Sequence, residues 1–440
     1  MTSYGERVAR GGTTAGRRYK TFGHGAELLT TSGSTSNDES LEQLPKDRAH
    51  FALPPRLRPR DTRRLRHATL GRGQPDLTSP APATTIHGLS FARLNPVWQM
   101  FVLELRVFTV LHTPLCDLFE IEYPIVNAPM GGGDATGDLA AAVSEAGGLG
   151  LIGGTTRDGA PWLVSQIRRA RELTDRPFGV GFISHLPGAG ELMRAALDEG
   201  VRVIAHSFAD PTPFVGAAHD AGALVLCQVR TLEGARQAAA AGVDVVTAQG
   251  TEAGGHTGRV STLPLVPSVV DAIAPIPVIA AGGIADGRGI AAALMLGADG
   301  VWLGTRFIAT TESGVSDAYR QRVIASSADD TVLTDVFDLA TGMPWPDGVS
   351  GRAISNQFSQ RWHGHEDTLR GWAAEQRDQY VALGPDAEIT ERAVWAGEGT
   401  SFVKEIESAR AVVTSLVADA TRVLSNRPGD LLRSKRSDRP

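Results

Sequence analysis

One short pattern recurs along the middle of the chain and restricts its architecture more than any other feature. An Ala-rich stretch closes on glycine and leads at once into a run of β-branched residues: EAGGLGLI, DEGVRVI, DAGALVL, AAGVDVV and LGADGVW. A glycine after an amphipathic stretch ends a helix, because it adopts the left-handed conformation of a helix C-cap without steric cost. An apolar run with no alternation, four to eight residues long, is a strand covered on both faces, as in a parallel sheet. Eight such strands are expected, over 124–128 (PIVNA), 149–153 (LGLIG), 178–183 (FGVGFI), 201–207 (VRVIAHS), 223–228 (ALVLCQ), 243–248 (VDVVTA), 276–281 (IPVIAA) and 300–305 (GVWLGT).

Eight strands alternating with helices predict an α/β chain of the closed (β/α)8 TIM-barrel type over residues 112–316. A doubly wound open sheet is the competitor. It normally carries its phosphate-binding glycines after the first strand, whereas here the richest glycine loops follow the sixth to eighth strands. Residues 317–425 are expected to form a smaller helical lid on the substrate side, with 317–326 as a candidate eighth helix and 401–425 strongly amphipathic. The last residues, 426–440, are expected to be a disordered tail.

Residues 1–99 read as a disordered basic extension, since "TTSGSTSNDES" and "LPPRLRPRDTRRLR" have no sustained apolar period with which to offset ordering entropy. The first hundred residues hold 15 Lys and Arg against 8 Asp and Glu, while the remainder holds 28 against 41. An acidic folded region argues against a nucleic-acid partner. The Arg56 to Arg66 cluster is read as a solvated tail, and Met100 is an alternative start. No apolar run reaches the roughly 18 residues needed to cross a bilayer, and the apolar stretch 97–111 is broken by Glu104 and Arg106. Cys116 and Cys227 are the two cysteines, which suggests neither a disulfide framework nor a zinc site. A cytoplasmic protein is expected, without a membrane partner.

Catalytic residues of such barrels sit on the loops after the strands. The loop after the sixth strand reads AQGTEAGGHTG over 248–258, with Gln249, Gly254 and Gly255 around His256. Its glycines allow close backbone approach to a flat ligand and are expected to leave the imidazole unshielded. No His or Cys stands at ligand spacing beside it, so no metal is expected. The loops AGGIADG over 281–287 and LGTR over 303–306 have the makings of a phosphate cradle, in which exposed N–H groups and a helix N-terminus favour an anion.

Together, "PIVNAPMGGG", "AQGTEAGGHTG" and "PVIAAGGIADGRGIAAALMLGADGVWLGTRF" resemble the nitronate monooxygenase family, formerly 2-nitropropane dioxygenases, which also includes FMN-dependent enoyl and quinone reductases. The resemblance spans roughly residues 112–425. It implies FMN as cofactor, with the backbone of Asn127, Ala128, Pro129 and Met130 bordering the flavin and Gln249 and Gly254, with neighbouring Gly255, in contact with it. It further implies that Gly282, Gly283, Gly304, Thr305 and Arg306 hold the phosphate and that His256 is catalytic. Two positions depart from the pattern: Asn127 stands where relatives often have Gln, and Gly181 where they often have Asn.

The implied activity is oxidation of alkyl nitronates by molecular oxygen to a carbonyl compound and nitrite, with His256 as base or as anion stabiliser. The alternative is an NAD(P)H-dependent FMN reductase of enoyl thioesters or quinones; a non-catalytic flavin protein is a third reading. A sugar-phosphate isomerase or lyase would use the same cradle, but the four lysines, Lys20, Lys46, Lys404 and Lys435, all lie outside the barrel. The expected partners are a small-molecule substrate and oxygen, and a homodimer is compatible with this reading. His185 and His206 follow the third and fourth strands and are secondary pocket candidates. Trp362, His363 and His365 are expected on a helix packed against the barrel, and Cys227 in the core.

Overall fold

The computed structural model describes residues 111–432 apart from Arg157, Pro385 and Asp386. The expected basic extension 1–99, the alternative start at Met100 and the last eight residues of the expected tail lie outside the described residues. Eight parallel strands follow the expected positions: β1 (Ile125–Asn127), β2 (Gly150–Gly153), β3 (Phe178–Ile183), β4 (Val203–Ser207), β5 (Leu224–Val229), β6 (Val245–Gln249), β8 (Val278–Ala281) and β9 (Gly300–Leu303). They pair in the order β1-β9-β8-β6-β5-β4-β3-β2. A parallel bridge between Val126 and Leu149 joins the first strand to the segment leading into β2 and closes the ring.

Strand residues alternate between two cores, because successive side chains of a strand point to opposite faces. Val126, Leu151, Val203, Ala205, Leu226, Val245, Ile279 and Trp302 fill the barrel interior, while Ile125, Ile152, Ile204, Val225, Val246, Ala280 and Val301 face the surrounding helices. Leu115, Cys116 and Phe119, on helix Pro114–Phe119, belong to the interior cluster and stop the end of the barrel from which the strands start. Burial in the outer core pushes the Cys227 thiol up to about 12, so it is a packing group rather than a nucleophile.

The chain leaves β9 at Thr305 and regains the barrel wall only at helix Ala409–Leu431. That long helix, rather than 317–326, takes the place of the eighth barrel helix, packing on helices Gly287–Met295 and Gly137–Glu145. It also runs six residues into the segment expected to be tail. The excursion between is held together at its ends, where Thr310 bridges Glu407 and the Arg306 guanidinium pairs with the Glu407 carboxylate.

The excursion is helical, as expected, but also carries a small antiparallel sheet that the periodicity does not announce. In it β11 (Ser350–Ile354) pairs with β10 (Thr331–Thr334), with β12 (Val394–Trp395) and with β7 (Gly255–Thr257), the last of which comes from the loop after β6. Helix Asp317–Ile324 packs through Tyr319 and Val323 on Ile308, Ile354 and Val394. Trp362 is not laid on the barrel. It joins Phe358, Trp372 and Tyr380 in a separate aromatic core within the lid.

Candidate functional site

A cavity of about 750 Å³ opens at the carboxyl ends of the barrel strands beneath the lid. That is within the usual range for a cofactor and small substrate together. The barrel contributes Ala128, Pro129 and Met130 after β1, Gln249 at the end of β6 and Glu252 to His256 after it, Gly282 and Gly283 after β8, and Gly304 and Thr305 after β9; the lid contributes Met343, Pro344, Trp345 and Trp395.

Gly282 and Gly283 have φ of +105° and +72°, a backbone region that residues with a Cβ rarely enter. A Cβ on Gly282 would also stand 2.9 Å from the Gly250 carbonyl oxygen and from Thr262 Oγ1. Among the described residues, no protein acceptor takes the N–H of Gly282, Gly283, Gly304 or Thr305. Bare amides converging on one cavity are the donor set that an anionic group such as a phosphate requires. A further donor comes from Gln249. Its Oε1 accepts from Gln228 Nε2 at 2.9 Å, which leaves the Gln249 amide hydrogens free for a ligand. These features fit a flat, phosphate-bearing group such as FMN.

His256 lies on β7 and is not the unshielded loop residue that the surrounding glycines suggested. Its backbone pairs with Gly351 of β11, and its side chain is only 11% exposed. The ring stacks on Trp345, with centroids 3.4 Å apart and planes 14° from parallel, and has Trp395 at 4.8 Å. Its Nε2 is 2.9 Å from both carboxylate oxygens of Asp338, and the Trp345 indole N–H donates to the same carboxylate at 2.9 Å. Neither Asp338 nor Trp345 is singled out by any sequence motif.

Other ionisable groups divide between cavity and scaffold. Asp134 borders the cavity, and burial, with a smaller contribution from the Glu388 charge, raises its carboxyl to about 7. Glu252 also borders it, but its carboxylate accepts from the N–H and hydroxyl of Thr262 and so caps the helix that follows. His206 lies behind the wall, stacked on Phe214 with Nδ1 2.8 Å from Ser184 Oγ, and burial lowers it to about 4. His185 is tied to the lid, its Nε2 3.0 Å from the Pro344 carbonyl oxygen. Phe208 has φ of +68°, which is costly for an aromatic residue, and places its ring edge-on to both His256 and Trp345.

The family model described as nitronate monooxygenase matches residues 112–419. The chain belongs to the nitronate monooxygenase family. A probable nitronate monooxygenase of Staphylococcus saprophyticus is 32% identical over 366 residues, a match covering 72% of this chain and 99% of that protein. A Mycobacterium tuberculosis protein, (3aS,4S,5R,7aS)-5-hydroxy-7a-methyl-1-oxo-octahydro-1H-indene-4-carboxyl-CoA dehydrogenase, is 43% identical over 236 residues. That match spans 53% of this chain and only 65% of the relative's length. Among solved structures, FabK from Thermotoga maritima superposes with a TM-score of 0.66 at 34% identity, covering 72% of this chain and 99% of that one.

Of the residues that the resemblance assigns to the site, all but two gather on one cavity, while the secondary candidates His185 and His206 are not among its lining residues. Asn127 is fully buried, and its side chain ties β1 to β2, donating to the Leu151 carbonyl and accepting from the Leu151 N–H, each at 2.8 Å. Arg306 is turned away into its pair with Glu407 and is absent from the cavity wall, so backbone rather than guanidinium is left to meet an anion. Gly254 does border the cavity, yet its lack of a side chain has another cause: a Cβ would lie 2.4 Å from the Gly397 nitrogen. At Gly181 a Cβ would meet the Pro129 ring at 2.3 Å, so the proline fills the space that a side chain there would need.

Proposed function

We propose that the protein is an FMN-dependent oxidoreductase that oxidises alkyl nitronates, or the parent nitroalkanes, with molecular oxygen to a carbonyl compound and nitrite. The observation that carries this reading is the meeting on one cavity of a bare amide cradle at Gly282, Gly283, Gly304 and Thr305 with the enclosed imidazole of His256. Bound FMN would supply the two-electron chemistry and its reoxidation by oxygen. The cradle amides would hold its phosphate, and Gln249 would offer hydrogen bonds to its ring system. His256 would take the proton from the carbon beside the nitro group, or hold a substrate already ionised. Trp345, Trp395 and Phe208 would keep bulk water from the reacting carbon.

A second reading, a nicotinamide-linked FMN enzyme acting on thioesters, is supported by the 43% identity to a carboxyl-CoA dehydrogenase. Anaerobic mixing separates the two. Bleaching of the bound flavin by ethyl nitronate but not by NADH or NADPH supports the monooxygenase; rapid bleaching by a reduced nicotinamide supports the second reading. A preparation that retains no FMN and binds none when it is added would refute both.

A further inference from the structure

We propose that Asp338 is a positioning residue for His256: by accepting the Nε2 proton it leaves Nδ1 as the nitrogen that takes a proton from the substrate. This rests on the reading of His256 as the proton-transferring group. A carboxylate accepts hydrogen bonds and donates none, so the ring nitrogen 2.9 Å from both of its oxygens is the one that carries the hydrogen. A neutral imidazole has a single N–H, and Nδ1 is therefore the lone-pair nitrogen. Among the described residues Nδ1 makes no hydrogen bond, and the ring borders the cavity.

The carboxylate is itself held in place. Its Oδ1 accepts from Trp345 Nε1, and Trp345 stacks on the imidazole that the carboxylate grips, so three side chains fix one another. His256 and Asp338 are both nearly enclosed, at 11% and 13% side-chain exposure, which strengthens the interaction relative to water. Ionisable groups near the pair include His185, which feels both His256 and Arg230, and Tyr380, which feels the Asp338 charge. During turnover the substrate C–H proton passes to Nδ1, Nε2 keeps its own, and the imidazolium charge is countered by Asp338. The base therefore has two parts from distant segments, His256 on the loop after β6 and Asp338 on lid helix Val336–Thr341, 82 residues later.

The test uses FMN-loaded full-length protein labelled with nitrogen-15 histidine, in which loss of one resonance in His256→Asn assigns that ring. Wild type is expected to show the Nε2–H tautomer, and Asp338→Ala a mixture of tautomers with FMN content unchanged. With neutral nitroethane as probe, kcat in Asp338→Ala is expected to fall by roughly 10²-fold while KM stays within about threefold, and Asp338→Glu to recover part of the loss. Should the alanine variant not fold, Asp338→Asn keeps the size and is read for the same tautomer change. A wild-type ring protonated at Nδ1, or a tautomer and kcat indifferent to Asp338, overturns the proposal. Holoenzyme inert toward both nitroethane and its anion would instead refute the functional reading, and the tautomer would then decide the placement of Asp338 alone.

Discussion

Replacing Asp134 with asparagine is expected to stabilise the protein, and to do so more at pH 8 than at pH 5. Burial raises this carboxyl from the usual 3.8 to about 7. Below about pH 4 both folded and unfolded chains keep the proton. Between about 4 and 7 the unfolded chain ionises while the folded chain does not, and stability falls by at most about 1.4 kcal/mol per pH unit. Above 7 the cost is constant, with a ceiling of about 4 kcal/mol that partial access to cavity water reduces to about 2. At pH 5 roughly a third of the cost has been incurred. For a chain of this size the benefit of Asp134→Asn corresponds to a Tm rise of about 2–5 °C at pH 8 and about 1–2 °C at pH 5. Glu388→Gln, which removes the lesser cause, should recover a smaller part. Differential scanning fluorimetry of wild type and variants at both pH values measures this directly. A Tm difference that is absent, or larger at pH 5, would refute the assignment of Asp134 as a carboxyl kept neutral by burial.

Gly282→Val should lower bound FMN at least tenfold, because the branched side chain meets Gly250 and Thr262 in a backbone conformation that disfavours it; absorbance at the flavin band after desalting reports the loss. Gly254→Leu is expected to unseat the Ala396–Gly397 segment and destabilise the lid by about 2 kcal/mol or more, seen as faster proteolysis around residue 396. Arg306→Met should leave FMN affinity within about threefold of wild type yet lower Tm, since it breaks a buried pair and touches no cavity wall. His206 is held neutral down to about 4, so stability should decline as pH falls from 6.5 toward 4 and level off below; His206→Phe should flatten that part of the profile in pH-dependent melts.

The barrel was legible because every strand announces itself locally as a short apolar run, five of the eight after a glycine, and closure needs only a count of eight. The lid sheet was not: β12 is two residues long, β7 sits among glycines, and their shared partner β11 is about a hundred residues from β7. In the site, motif order singled out the glycines of the proposed cradle and His256, which line one cavity. Spacing could not say which way Arg306 points, nor that Asn127 serves the β1–β2 join, because both are settled by groups distant in the chain. Asp338 and Trp345 were invisible for the same reason, lying in TDVFDLATGMPWPD, a stretch outside the glycine-rich loops that follow the barrel strands.

The closed ends of the excursion between Thr305 and Ser408 bear on how the molecule is made. As the chain emerges from the ribosome, all eight barrel strands are available about a hundred residues before the helix that completes the wall, so the outer face of helices Gly137–Glu145 and Gly287–Met295 waits uncovered through synthesis of the lid. Docking of Glu407 beside Arg306 and Thr310 delivers the last helix to that gap, and the loop it closes includes Asp338. The excursion that carries Asp338 to His256 is thus bracketed by the contacts that seat the last helix, and a chain ending before residue 409 is expected to expose an apolar groove prone to aggregation.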